Sequence, residues 1–156
     1  MNTSESNIME IQSDYKELFE CFNAHKVQYM IVGSYALAFH GAPRYTGDID
    51  VYVKPDQKNA VSIIKALDDF GFASLGLVTA DFEWPDKVVQ LGVSPIRIDL
   101  MTSISGMDWE TAFKGSENGY YGDVPVKYIG RREFVANKRA SGRQKDLADI
   151  EALDEL

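Results

Sequence analysis

The stretch Asp48-Ile49-Asp50-Val51-Tyr52-Val53-Lys54 alternates strictly, putting Ile49, Val51 and Val53 on one side of a strand and Asp48, Asp50 and Tyr52 on the other. A chain with this pattern has to bury one sheet face under helices and leave the opposite, acidic face to polar partners. Ile96 to Met101 repeats the design, with Ile96, Ile98 and Leu100 opposed to Arg97 and Asp99. If the two strands lie side by side, three carboxylates gather on one face.

The rest of the chain supplies the helices. Residues Ile8, Ile11, Tyr15, Leu18, Phe19 and Phe22 recur at three- and four-residue steps and predict a first helix, after a polar Met1 to Asn7 expected to be frayed. Val27 to Val32 reads as a short buried strand that stops at Gly33-Ser34, with Ser34 as the expected N-cap of a helix over Tyr35 to His40. Gly41 to Gly47 reads as loop. Asp56 and Gly71 bracket a helix whose inward positions are expected to be Val61, Ile64, Leu67 and Phe70. Further strands are expected at Lys87 to Leu91 and Val124 to Ile129, and a single helical turn at Trp109 to Phe113. From Arg131 to Leu156 the chain reads as helical, broken near Ser141-Gly142, with Leu147, Ile150 and Leu153 on one stripe. The expected architecture is α/β (α+β): a mixed central β-sheet flanked by helices, as a single domain over residues 1–156 with a C-terminal helical segment at 131–156.

Composition narrows the function classes. Cys21 is the only cysteine, which excludes an internal disulfide and a cysteine-cluster zinc site and fits a reducing, cytoplasmic setting. The apolar runs fall short of the ~20 residues that span a bilayer, so no membrane partner is expected. The formal charge of −8 argues against a broad cationic nucleic-acid surface. Arg131, Arg132, Lys138, Arg139, Arg143 and Lys145 nevertheless crowd a short segment containing one acid, Glu133, so a local patch is able to meet a phosphate.

Residues i and i+2 of a strand sit about 7 Å apart at the Cα, close enough for both carboxylates of Asp48 and Asp50 to converge on cations. With 14 aspartates in 156 residues, one such spacing is expected by chance, so position carries the weight. Mutual repulsion among Asp48, Asp50 and Asp99 would be relieved by hard divalent cations, Mg²⁺ or Mn²⁺. Two such ions are an arrangement that activates an attacking hydroxyl and steadies a phosphoryl leaving group. Gly33-Ser34, where a strand meets a helix, offers backbone N–H groups and a hydroxyl to a phosphate. Arg44, just ahead of the carboxylate strand, is placed either to clamp a phosphate or to pair with an acid. No Walker-type or dinucleotide-binding glycine string occurs. His25 and His40 read as cap or surface imidazoles, and Trp84 and Trp109 as core or groove walls.

The order Gly33-Ser34, Asp48-Ile49-Asp50, then Asp99 in Arg97-Ile98-Asp99-Leu100-Met101 resembles the nucleotidyltransferase superfamily of the DNA polymerase beta type. Within it, the string from Val32 to Asp50 and the later Asn137 to Ile150 look like small nucleotidyltransferase-like proteins related to AbiEii-type toxins. The resemblance implies that Gly33 and Ser34 cradle an NTP triphosphate, that Asp48 and Asp50 bind two Mg²⁺ (or Mn²⁺), and that Asp99 completes one metal site nearest the acceptor hydroxyl. It further implies phosphate contacts from Lys138 and Lys145. The expected reaction is NMP transfer to an acceptor: an RNA 3′ end, a protein or a small molecule. The alternative is a non-catalytic NTP-binding scaffold, acting in a homodimer or with a cognate antitoxin.

Overall fold

The computed structural model describes residues 11–42, 47–93 and 95–154. Helix α1 (Ser13–Ala24) leads into β1 (Tyr29–Val32) and the short α2 (Gly33–Phe39). Strand β2 (Asp48–Val53) is followed by α3 (Gln57–Phe70), then by β3 (Val88–Val93) and β4 (Ile96–Met101). Helix α4 (Trp109–Lys114), the hairpin β5 (Glu117–Tyr121) and β6 (Val124–Tyr128), and helices α5 (Arg131–Ser141) and α6 (Gln144–Asp154) complete the order. The strands form one mixed six-stranded sheet in the order β3-β4-β2-β1-β6-β5.

Register explains the two faces. Strands β1 and β2 run antiparallel, pairing Tyr29 with Val53, Ile31 with Val51 and Val32 with Asp50. Tyr29, Ile31, Ile49, Val51 and Val53 are buried on the side that carries α1, whose Phe19 stacks on Tyr29 at 5.4 Å between centroids. Helix α3 packs on α1. On the other side Tyr52 meets Trp109 of α4 edge-to-face. The same strands therefore give up an aliphatic face to the core and hold Asp48 and Asp50 on the opposite one, as their alternation requires.

Local expectations divide. Tyr15, Leu18, Phe19 and Phe22 are fully buried, but Ile11 precedes α1 and is 47% exposed; Ile8 and the N-terminal segment lie outside the described residues. Asp56 does cap α3, its carboxylate accepting from the Asn59 N–H at 2.7 Å, and Gly71 ends the helix with φ 107°. Of the positions expected to face inward on α3, Leu67 is buried and Ile64 and Phe70 pack partly buried against the core, but Val61 is exposed; Ala60, Ile63 and Ala66 complete the buried face. In α6 the buried face carries Asp146 and Asp149 beside Ile150 and Leu153, and the expected Leu147 is exposed. Strand β5 has no counterpart in the sequence reading. No helix among the described residues is long and apolar enough to cross a membrane.

Candidate functional site

Strands β2 and β4 run parallel in register, with Asp48 opposite Arg97 and Asp50 opposite Asp99. Directly paired residues project to the same side of a sheet, so these four side chains share the face away from α1. Val32 pairs with Asp50 and the chain turns immediately through Gly33. Gly33 adopts φ +67°, and a Cβ there would overlap the Asp50 carboxylate. Only glycine brings backbone this close to that group. The N-terminal ends of both strands, where the site lies, are tied to α1: the Tyr15 hydroxyl donates to the Gly47 carbonyl and lies 3.1 Å from that of Arg97. At Gly47 a Cβ would strike the Pro95 carbonyl, so glycine also sets the approach of β2 to the segment leading into β4.

Charge is concentrated here. The Arg97 guanidinium grips Asp99 with two bonds, Nε to Oδ1 at 3.0 Å and Nη2 to Oδ2 at 3.1 Å, and its Nη2 stands 3.2 Å from Asp48 Oδ2. This fork matches both oxygens of a carboxylate. Burial pushes the Asp50 carboxyl up from its ordinary 3.8 to about 6, and the neighbouring Asp99 and Asp48 add to the rise while Lys138 and Lys145 oppose it.

Residues of α5, α6 and the turn between them line one side of the acidic face. Asp146 is fully buried, with Lys138 Nζ on Oδ1 at 3.1 Å, Arg143 Nε on Oδ2 at 2.8 Å and the Ser141 hydroxyl on Oδ2. Burial by itself would raise this carboxyl, yet the bonds from Arg143, Ser141 and Lys138 hold it well below the usual carboxylate range. Gly142, at φ 67°, makes the turn between the helices that lets Ser141 and Arg143 both reach Asp146. Two clefts adjoin at Asp50, Met101 and Arg143. One, of about 320 Å³, runs over Ser34, Asp48, Asp99 and Lys145. The other, of about 370 Å³, runs past Gly33, Ser103, Asn137 and Lys138.

The structure brings Gly33, Ser34, Asp48, Asp50 and Asp99 together, lines the clefts with Lys138 and Lys145, and leaves Arg44 outside the described residues. Ser34 is not an N-cap: α2 starts at Gly33 with Val32 in the capping position and no side-chain cap, because the turn is made by the positive φ of Gly33. Lys138 is buried on Asp146, a strut as well as a cleft wall. His40 ends α2 and its Nε2 donates to the Ile129 carbonyl at 2.7 Å, whereas Trp109 is buried and Trp84 is 60% exposed. Sequence reasoning missed Arg97 as part of the site, although it sits two residues from Asp99 on the same strand face. Arg143 was read only as one of the basic patch, and Asp146, its partner, was missed, although their i, i+3 spacing was the available signal.

The donor set suits a hard divalent cation in part. Asp48 and Asp50 offer carboxylate oxygens on one face, and the Gly33 turn lies against Asp50 where a Cβ would overlap its carboxylate. Asp99 commits both its oxygens to Arg97. Among the described residues no three His, Cys, Asp or Glu side chains are grouped to hold a metal ion by themselves. Asp48 and Asp50 are the carboxylates that could hold such an ion, with further ligands coming from outside the chain.

Three solved structures share this architecture. A Thermotoga maritima protein assigned as a nucleotidyltransferase superposes with a TM-score of 0.58 at 15% identity, over 93% of both chains. A lincosamide antibiotic adenylyltransferase solved with lincomycin gives 0.58 at 16% identity, over 95% of this chain and 98% of that one. The antibiotic-resistance factor ANT(2″)-Ia gives 0.60 at 10% identity, over 99% and 85%. At such identities the likeness establishes the fold. No curated protein matches the sequence. The family model described as "Nucleotidyltransferase of unknown function (DUF6036)" matches residues 6–105, a span that holds Gly33, Ser34 and all three site aspartates, and the chain belongs to that family.

Proposed function

We propose that this protein transfers a nucleoside monophosphate from an NTP to a hydroxyl or phosphate acceptor, releasing pyrophosphate, with Mg²⁺ or Mn²⁺ at Asp48 and Asp50. The observation that carries the proposal is the in-register placement of Asp48, Asp50 and Asp99 on one open face beside the Gly33 turn. The divalent ion, when bound, supplies charge neutralisation on the phosphoryl oxygens.

The chain's own residues do the positioning. The Gly33 backbone and the Ser34 hydroxyl receive the triphosphate, and Lys145 and Arg143 on the rim of the adjoining cleft draw its charge inward. Lys138 contributes from the wall while its bond to Asp146 keeps it in place. Asp99, held by Arg97, retains a lone pair on each oxygen and so accepts a hydrogen bond from the acceptor hydroxyl, orienting it toward the α-phosphate. Phosphoryl chemistry of this kind needs alignment and electrostatics more than covalent participation. The cleft past Ser103 and Asn137 has room for a nucleoside or small acceptor. The lincosamide enzyme, matched over nearly its whole length, supports the view that a chain of this compass accommodates a small-molecule acceptor.

The test is transfer of label from α-labelled NTPs to a panel of RNA 3′ ends, proteins and hydroxylated small molecules. Asp48→Asn and Asp50→Asn are expected to abolish incorporation with the fold intact. Incorporation equal to the parent in both variants rejects the proposal. Nucleotide binding with no pyrophosphate release on any acceptor favours the sensor or antitoxin-partnered reading on the same scaffold.

A further inference from the structure

Among the described residues, Arg97 is the one cation placed on the same strand face as the three carboxylates, and its position is built rather than incidental. Its backbone carbonyl lies 3.1 Å from the Tyr15 hydroxyl, its side chain occupies the slot next to Asp48 in the paired register, and its neighbour on the other side, in β3, is Gly92, which has no side chain to crowd it. The guanidinium spends two donors on Asp99 and stands 3.2 Å from Asp48. Against three carboxylates, one guanidinium leaves two negative charges, the complement of one divalent ion.

Building on the site proposed above, we infer that Arg97 is a resident second cation: the guanidinium takes the place of one of the two ions, so this site binds a single divalent ion, at Asp48 and Asp50 with the nucleotide phosphates. Asp99 is then an arginine-held orienting group and not a metal ligand. Arginine suits the task because it stays charged and grips both carboxylate oxygens, which a lysine does with a single point charge.

The experiment counts Mn²⁺. The full chain is equilibrated with Mn²⁺ and an α,β-methylene analogue of ATP or GTP, free ion is removed, and bound Mn²⁺ is measured by electron paramagnetic resonance against bound nucleotide. The parent is expected to hold one Mn²⁺ per nucleotide, and Arg97→Met two. Arg97→Gln, which keeps a polar head without the charge, serves as the second variant and is also expected to hold two. Melting curves report whether each variant is folded. Two Mn²⁺ per nucleotide in the parent overturns the inference, and so does a count of one in folded Arg97→Met and Arg97→Gln. A parent that retains neither Mn²⁺ nor nucleotide sinks the nucleotidyltransferase reading of the site and this inference with it, a result distinct from a miscount.

Discussion

Replacing Asp50 by Asn should make the metal-free protein more stable at neutral pH. Burial, aided by Asp99 and Asp48, raises the Asp50 carboxyl to about 6 from an ordinary 3.8. In the unfolded chain this group loses its proton near pH 4, whereas in the folded protein it keeps it until about pH 6. Between those values the folded state binds more protons than the unfolded one, so stability falls as pH rises and the whole loss is in place above pH 6. At ~1.4 kcal/mol per unit, the penalty is about 3 kcal/mol, an order-of-magnitude figure. Asn carries no such charge. About 2 kcal/mol of this falls above pH 4.5, where the unfolded-chain group has already lost most of its protons. For a domain of this size 1 kcal/mol moves Tm by ~2 to 4 °C, so relative to Asp50→Asn the parent should lose about 4 to 8 °C between pH 4.5 and pH 7.5. Thermal melts of both proteins across that range, without and with Mn²⁺ and an NTP analogue, provide the assay. Added Mn²⁺ should recover stability in the parent and not in the variant. Parallel pH profiles for the two proteins would refute the claim that Asp50 is a desolvated carboxylate awaiting a cation.

Gly33→Ala forces an L side chain into φ +67°, costing about 1 to 2 kcal/mol, and pushes its Cβ into the Asp50 carboxylate. Both stability and nucleotide-analogue affinity should drop, and combining it with Asp50→Ala should return part of the stability in a double-mutant cycle; additive effects would mean that the two residues do not touch. Asp146→Ala strands the buried Lys138 without its partner and should cost about 3 to 5 kcal/mol by denaturant melt. A loss under ~1 kcal/mol would show that the α5–α6 joint rests on its apolar contacts instead.

The sheet face was legible because alternation is a local property: Ile49, Val51 and Val53 against Asp48, Asp50 and Tyr52 allows one arrangement once one side is buried. The pairing of β2 with β4 followed from the matching design of Ile96 to Met101 together with the family resemblance. Strand β5 was missed because Glu117 to Tyr121 is largely exposed at a sheet edge, so it lacks the apolar alternation that betrays inner strands. Its signal was the Gly122-Asp123 turn ahead of Val124. Val61 in α3 and Leu147 in α6 were misplaced for a related reason, while Leu67, Ile150 and Leu153 are buried as expected. Large apolar residues were taken to point inward, but Ala60 and Ala66 permit close packing, and in α6 an aspartate is buried because Lys138 and Ser141 of α5 and Arg143 of the intervening turn converge on it. Convergence across elements leaves no trace in periodicity. Arg97 lay between these cases: its face could be read from spacing, but its grip on Asp99 could not.

The most direct measurement is a crystal of the parent protein grown with Mn²⁺ and a non-hydrolysable NTP, with anomalous scattering used to locate manganese. The account predicts a manganese peak between Asp48 and Asp50, with the triphosphate against Gly33 and Ser34. Manganese bound away from these carboxylates, or a nucleotide whose phosphates lie outside the Gly33 turn, would contradict it.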